Sequence, residues 1–320
     1  MEEYSFIDIF AGRDEFGCLV EHIPKDAHFA FALTCRAARE EVLKLYLKNK
    51  EPLKTTYASL VSSVALVKWS LEVGCIWESR ICLEAAKGGF LDILKWAHEN
   101  GFQWDQGTCA RAASEGHIEL LRYAHEHGCP WDESTPFHAA LGGQLEVLRY
   151  AHENGCPWDE DMCCHAALGG HLEMLIYAHE HGCPWTRRTC SRAAQGGHLE
   201  VLRYLHEHGC PWNEYTCSAA AEGGHLEVLR YAHENGCEWD EYTCIVAADE
   251  GHLEIIRYAH EHGCPWDEAT CMNAAGGGHL EVLRYAHEHG CPWDAYTYQM
   301  ALDGGHRDVI KYLQENGCPQ

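Results

Sequence analysis

The sequence predicts an all-α solenoid with two helices per repeat, and two observations lead to that fold class. Tryptophan recurs every 27 residues from Trp77 to Trp293, and the next step falls on Gln320. Each interval contains two short helical patterns separated by glycines. A fixed period of this size is typical of solenoids, in which each repeat buries its apolar face only against its neighbours. We therefore divide the chain into residues 1–50 and ten 27-residue repeats over residues 51–320.

The first helix of a repeat begins with a capping residue. We number the positions of a repeat from 1 to 27, ending at the Trp. Position 1 is Asp, Asn or Thr in most repeats, and these side chains accept the free N–H groups of a helix start. In one repeat the segment 214–222 follows Asn213 and ends at Gly223, a residue suited to a helix end. In another, Pro136 predicts a later start, just after a Thr135 cap.

The second helix is amphipathic, as the segment 225–235 shows. Glu227 and Arg230 are spaced for an ion pair on its outer side, and Gly236 ends the helix. The predicted buried stripe consists of Leu226, Val228, Leu229, Ala232 and His233. Each repeat therefore supplies two helices that pack on the next repeat.

The repeats resemble ankyrin repeats. The segment "TPFHAALGGQLEVLRYAHENG", residues 135–155, has the T-P-L-H-x-A type of opening, a glycine and an L-E-V helix, and other repeats keep "GHLEV". An ankyrin repeat has about 33 residues, and the missing residues fall where its β-hairpin loop projects. "CPWDE" takes the place of that loop. The resemblance implies stacked helix pairs with trimmed hairpins, hence a fold with little or no β-structure, and a role in binding proteins.

Composition excludes several classes of partner. The net charge of −25 disfavours nucleic acid and anionic membrane, which need a basic surface. We find no signal peptide pattern, and no apolar run reaches the ~18 residues of a membrane span. The 19 cysteines are odd in number, and most occupy fixed positions of the repeat. We expect reduced thiols in a cytoplasmic or nuclear protein.

The motif "HEHGCPWD", residues 125–132, raises the question of a metal site. His at position 21 with Cys at positions 25 and 5 has ligand types that suit zinc. The alternative is a packed core, in which Cys acts as a small hydrophobe. Phe102 at position 25 and Pro136 at position 5 each replace one candidate ligand, and Asn154 replaces the second His of the motif, without matching losses of the other candidates. We favour the core and expect no metal or other cofactor. The His at position 13 is expected to bond backbone of the neighbouring repeat rather than transfer protons.

The repeats differ most from one another at positions 3, 6, 7 and 10. Positions 3 and 7 lie on one face of the first helix, so stacked repeats would align them. No nucleophile–base pair or phosphate loop stands out, so we expect a non-enzymatic scaffold that binds a protein or peptide on this face. The alternative is neutral drift on a solvated face. The predicted partner-binding residues are Arg80, Glu84, Arg111, His138, Asp161, His165, Arg188, Arg192, Tyr215, Tyr242 and Tyr296.

Residues 1–50 lack the 27-residue period. The stretch "IPKDAHFAFALTCRAAR" resembles the second half of an F-box. The matching residues are Ile23, Pro24, Asp26, Leu33, Cys35 and Arg36. This resemblance implies a substrate adaptor of a ubiquitin ligase that binds a Skp1-type protein through residues 1–50. The other interpretation is a helical cap on the open end of the stack.

Overall fold

Every regular element that the structure describes is an α-helix. The computed structural model describes residues 64–72, 77 and 79–320. The predicted fold class, an all-α repeat solenoid of helix pairs, is confirmed for this part of the chain. The F-box-like segment within residues 1–50 lies outside the described residues. The described residues divide into two compact parts, one that ends at residue 157 and one over residues 158–320. We call them the N-terminal half and the C-terminal half.

Both halves are built from one helix pair per repeat. The N-terminal half contains α1 (Val64–Glu72), α2 (Arg80–Gly88), α3 (Leu91–Glu99), α4 (Gln106–Ser114), α5 (Ile118–Glu126), α6 (Ser134–Leu141) and α7 (Leu145–Glu153). The C-terminal half contains α8 (Glu160–Leu168), α9 (Leu172–Glu180), α10 (Arg187–Gln195), α11 (Leu199–Glu207), α12 (Glu214–Glu222), α13 (Leu226–Glu234), α14 (Glu241–Asp249), α15 (Leu253–Glu261), α16 (Glu268–Gly276), α17 (Leu280–Glu288), α18 (Ala295–Gly304) and α19 (Arg307–Glu315). Within each half, first helices pack on first helices and second helices on second helices of adjacent repeats.

The capping residue at position 1 starts most first helices, as predicted. Asp159 has extended backbone, and its carboxylate accepts the N–H groups of Asp161 and Met162. The helix α6 differs because it begins at Ser134. Its start is one position later than in most repeats, as in α2, but the prediction of a Thr135 cap is wrong because Thr135 lies inside the helix. Pro136 fits in this first turn because N–H groups there have no partner within the helix.

The core lies between the two helices of a repeat and those of its neighbours. In the repeat of α12 and α13, Val228, Leu229 and Ala232 are buried, as predicted. Leu226 and His233 are only half-buried, so the stripe is narrower than the sequence suggested. They are seven residues apart, which is about two helical turns, so both lie along the same edge of the stripe. Paired alanines on the first helices are fully buried and allow close helix packing.

The turn between the two helices is held by the His at position 13. The Nε2–H group of His225 donates to the carbonyl oxygen of Gln195, 3.0 Å away in the preceding repeat. This confirms the predicted inter-repeat bond to backbone. The glycine before the turn adopts a left-handed conformation, as Gly197 does with φ of +75°. The same His bond occurs at His117, His198, His252, His279 and His306.

Candidate functional site

The His of the "HEHGCPW" motif forms an aromatic link between repeats. His206 stacks on Trp212 with ring centroids 3.9 Å apart. The hydroxyl of Tyr231, in the next repeat, hydrogen-bonds Nδ1 of His206 at 3.1 Å. Arg203 places its guanidinium over the Tyr231 ring at 5.0 Å. The His–Trp stack recurs at His98, His125, His179, His233, His260 and His287. The motif therefore builds the constant frame of the solenoid.

The Cys residues of the motif are buried in the core. Cys190 and Cys210 are 0% and 4% exposed, and the Cys210 thiol donates to the Thr186 carbonyl at 3.3 Å. This bond ties the end of the second helix to the cap of the first. Burial, with a contribution from nearby Asp105, raises the pKa of Cys82 to about 11. Among the described residues, no cluster of three or more His, Cys, Asp or Glu side chains is arranged to hold a metal ion.

The outer surface of the second helices repeats one ion pair. In the C-terminal half, Glu227 lies 3.6 Å from Arg230, as predicted, and Glu281 lies 3.5 Å from Arg284. The same pair joins Glu200 to Arg203 and Glu254 to Arg257. Exposed pairs of this kind contribute little to stability. This surface presents nearly the same side chains in every one of these repeats.

The first helices of the N-terminal half carry four of the predicted partner-binding residues. Arg80 and Arg111 are exposed, whereas Glu84 and His138 are half-buried. The Nδ1–H group of His138 donates to the carbonyl oxygen of Ser134 at 2.7 Å. His138 is therefore engaged with its own helix, and the two arginines are the more accessible of the four.

The first helices of the C-terminal half carry the other seven. Asp161 forms an ion pair with Arg188 of the next repeat, with Nη1 and Oδ1 2.5 Å apart. The Nδ1–H group of His165 donates to the Asp161 carbonyl oxygen at 2.8 Å. Tyr296 is 71% exposed on α18, the first helix of the final repeat. The remaining three, Arg192, Tyr215 and Tyr242, meet Arg188 at a single pocket.

That pocket is a concavity of about 390 Å³ across α10, α12 and α14. Its lining includes four of the predicted partner-binding residues, Arg188, Arg192, Tyr215 and Tyr242. Tyr215 is 58% exposed and Tyr242 49%. The structure thus brings four of the predicted residues to one site. Asp161 and His165 lie on α8, Tyr296 lies on α18, and none of these three lines the pocket.

Sequence reasoning missed several lining residues, above all Arg187. Ser191, Gln195 and Ser218 also line the pocket, at positions 6 and 10 that were recognised as variable but not selected. Arg187 stands at position 2, where most other repeats carry Glu, for example Glu214. That reversal of charge within one repeat is the signal that could have found it.

No model of a known protein family matches the chain, and a search of curated proteins found no similar sequence. Among the helices that the structure describes, none is long and apolar enough to cross a bilayer.

Proposed function

We propose that this protein is a non-enzymatic scaffold that binds a protein or peptide partner on the face formed by the first helices. One observation carries the proposal. In the C-terminal half the exposed face of the first helices changes from repeat to repeat, while four consecutive second helices, α11, α13, α15 and α17, repeat one Glu–Arg pair on their exposed face. A constant frame with one variable surface is how repeat proteins present an extended binding surface.

The exposed tyrosines support this choice of face. Tyr215, Tyr242 and Tyr296 are 58%, 49% and 71% exposed. Tyr is enriched among the residues that dominate binding energy at interfaces, and these three expose about half or more of their surface to solvent. By contrast, tyrosines of the second helices such as Tyr231 and Tyr258 are half-buried or buried and bond a His. The two kinds of Tyr therefore have different roles.

The fold of the repeats agrees with a shortened ankyrin-type unit. The described residues contain helix pairs and no strand, as expected if "CPWDE" replaces the hairpin loop. In such a unit the partner contacts the first helices directly, because no hairpin projects beyond them. We infer ankyrin-type binding without hairpin contacts.

A site-specific photo-crosslinker tests the proposed face. Benzoylphenylalanine at Tyr215 or Tyr242 in the full chain, irradiated in a native lysate, should capture the same partner, identified by mass spectrometry. The matched control places it at Glu227 on the exposed second-helix surface. Capture from Glu227 but not from Tyr215 or Tyr242 would place binding on the other surface. Capture from none of these positions would favour neutral drift of the variable face.

A second candidate function is a substrate adaptor of a ubiquitin ligase. It rests on the F-box-like stretch around Pro24 and Cys35, which lies outside the described residues. In that case the repeats would hold the substrate and residues 1–50 would bind a Skp1-type protein. A pull-down of a purified Skp1-type protein by the full chain, compared with Pro24→Ala and Cys35→Ala, tests it. Equal binding by the variants, or no binding at all, would leave the segment as a cap.

A further inference from the structure

The pocket across α10, α12 and α14 has an unusual charge for this molecule. The chain carries a net charge of −25, yet three of the four charged side chains at the pocket are arginines: Arg187, Arg188 and Arg192. The fourth is Glu222. All three arginines come from α10, and Arg187 replaces the Glu of the neighbouring repeats. The pocket is therefore a positive site on an acidic protein.

Two of these arginines are free to bind an anion. Arg188 is already paired with Asp161. Arg192 donates to the side-chain oxygen of Gln195 at 2.6 Å, a neutral partner that leaves its charge uncompensated. Neither Arg187 nor Arg192 lies within ion-pair distance of a carboxylate among the described residues. Carboxylates are the natural partners of such guanidinium groups.

The other side of the pocket is aromatic. Tyr215 and Tyr242 follow Arg188 at the same position of the next two repeats. Their hydroxyl groups have no hydrogen-bond partner within the described part of the chain, and about half of each side chain faces solvent. Such a Tyr offers a large apolar area with a polar tip and few rotamers to order. It suits an aromatic or aliphatic side chain of a partner.

We infer that this pocket binds an extended acidic peptide segment of a partner protein, with carboxylates at Arg187 and Arg192 and an apolar side chain at Tyr215 or Tyr242. The inference rests on the proposed function and specifies the partner chemistry. Packed helices lie about 8–10 Å apart, and an extended chain advances about 3.3 Å per residue. An apolar peptide residue that contacts Tyr215 is therefore about three residues from the acidic residue at the arginines, and one that contacts Tyr242 is about six residues from it.

Nucleic acid is the less suitable anion. Its phosphates continue along the strand, and beyond the arginine cluster they would meet Glu222, Glu241 and the acidic remainder of the chain. A peptide can place one or two carboxylates at the arginines and neutral residues elsewhere. Competition by a single-stranded oligonucleotide distinguishes the two ligands.

Peptide selection tests the inference. The full chain is used to select from a phage library of random peptides, and the best synthetic peptide is titrated by fluorescence polarisation. We expect selected peptides rich in Asp or Glu about three or six residues from an aromatic or large aliphatic residue. Arg187→Glu with Arg192→Glu should weaken the best peptide at least tenfold, and Tyr215→Ala with Tyr242→Ala about tenfold.

The matched control is Arg203→Glu with Arg230→Glu, which changes the net charge equally on the second-helix surface. It should change affinity by less than about twofold, because exposed charges outside an interface contribute little to binding. Thermal unfolding confirms that every variant is folded.

Three results would each overturn the inference. The selected peptides could be neutral or basic, reversal of charge at Arg187 and Arg192 could leave affinity unchanged, or oligothymidylate could bind more strongly than the best peptide. If those results accompany capture of a partner from Tyr215 or Tyr242, the proposed binding face stands and only the acidic-peptide inference fails. If no peptide is selected and no partner is captured, both fail.

Discussion

The hydroxyl of Tyr231 hydrogen-bonds Nδ1 of His206 at 3.1 Å and so joins the second helices of two neighbouring repeats. The equivalent bond joins His233 to Tyr258 and His287 to Tyr312, in both cases within 0.1 Å of that distance. Because the His ring also stacks on the Trp of its own repeat, each link fixes a helix, a turn and the next helix together. This link is where substitutions should reveal how the repeats are coupled.

Tyr231→Phe should reduce the free energy of unfolding by about 0.5–1.5 kcal/mol, the usual contribution of one hydrogen bond. The ring and its packing remain, so the loss reports the hydroxyl alone. Urea denaturation of the full chain measures it. Tyr215→Phe is the control, because the Tyr215 hydroxyl lies on the exposed face and should make no difference. Equal stability of the two variants would mean that this hydrogen bond contributes nothing to stability.

Trp185→Ala should destabilise the C-terminal half. Trp185 stacks on His179 with ring centroids 4.0 Å apart and meets the edge of Tyr204 in the next repeat. It is half-buried, so we expect a loss below the about 3–5 kcal/mol typical of a fully buried aromatic residue. Thermal unfolding beside the exposed control Tyr296→Ala measures it. A melting temperature equal to that of the control would contradict the role of Trp at the junction.

Gly197→Ala should be more destabilising than Gly209→Ala. Both glycines have positive φ, +75° and +78°, so alanine strains the backbone by about 1–2 kcal/mol at either position. At Gly197 the new Cβ would also lie 2.5 Å from Nδ1 of His225, whereas at Gly209 it meets nothing within 4 Å. The His225 ring is fixed by its bond to Gln195, so we expect Gly197→Ala to lower the free energy of unfolding by about 1–3 kcal/mol more than Gly209→Ala.

The additional variant His225→Ala separates the two causes. In that background Gly197→Ala and Gly209→Ala should have similar effects on the denaturation midpoint. A persistent difference would show that the clash with the ring is not the cause.

Acid should destabilise the protein through His233 and His260. Burial, and next the neighbouring His262 and His289, lower the pKa of these two imidazoles from about 6.5. The unfolded chain then binds protons more readily than the folded one. Their contribution to stability is complete above the unfolded pKa and is lost as the pH falls through the folded pKa. The melting temperature should therefore fall below about pH 6.5.

The double variant His233→Gln with His260→Gln should show a smaller fall in melting temperature over the same pH range, because glutamine does not titrate. Carboxylates elsewhere titrate in both proteins and cancel in the comparison. An unchanged pH dependence would assign the acid sensitivity to other groups.

Thiol labelling should report unfolding of the core. Burial, and next the nearby Cys109, raises the pKa of Cys156 to about 12, and the side chain is 4% exposed. Only the thiolate reacts, so iodoacetamide should modify Cys156 slowly in the folded chain and quickly in urea. Peptide mass spectrometry measures both rates. Rapid labelling of the folded chain would show that the core opens without global unfolding.

The sequence was sufficient for the frame and insufficient for the site. The Trp period and the capping residue at position 1 follow from local chemistry, so helix pairs could be placed from residues such as Asp159 and Trp185. The half-buried state of His233 could not be predicted in this way. A stripe of apolar residues does not show which of its edges the neighbouring repeat leaves exposed. The pocket also depends on how α10, α12 and α14 pack, and only that packing brings Arg187 beside Tyr215.

The uniform link between repeats has a consequence for how this gene can change. Since positions 19, 21 and 27 carry the same Tyr, His and Trp at these junctions of the C-terminal half, a repeat finds matching neighbours wherever it is inserted there. In-frame recombination that copies or deletes one repeat keeps the Tyr, His and Trp of this link at the new junction. The order of side chains along the first helices can then change by moving whole repeats, with the residues of the link unchanged.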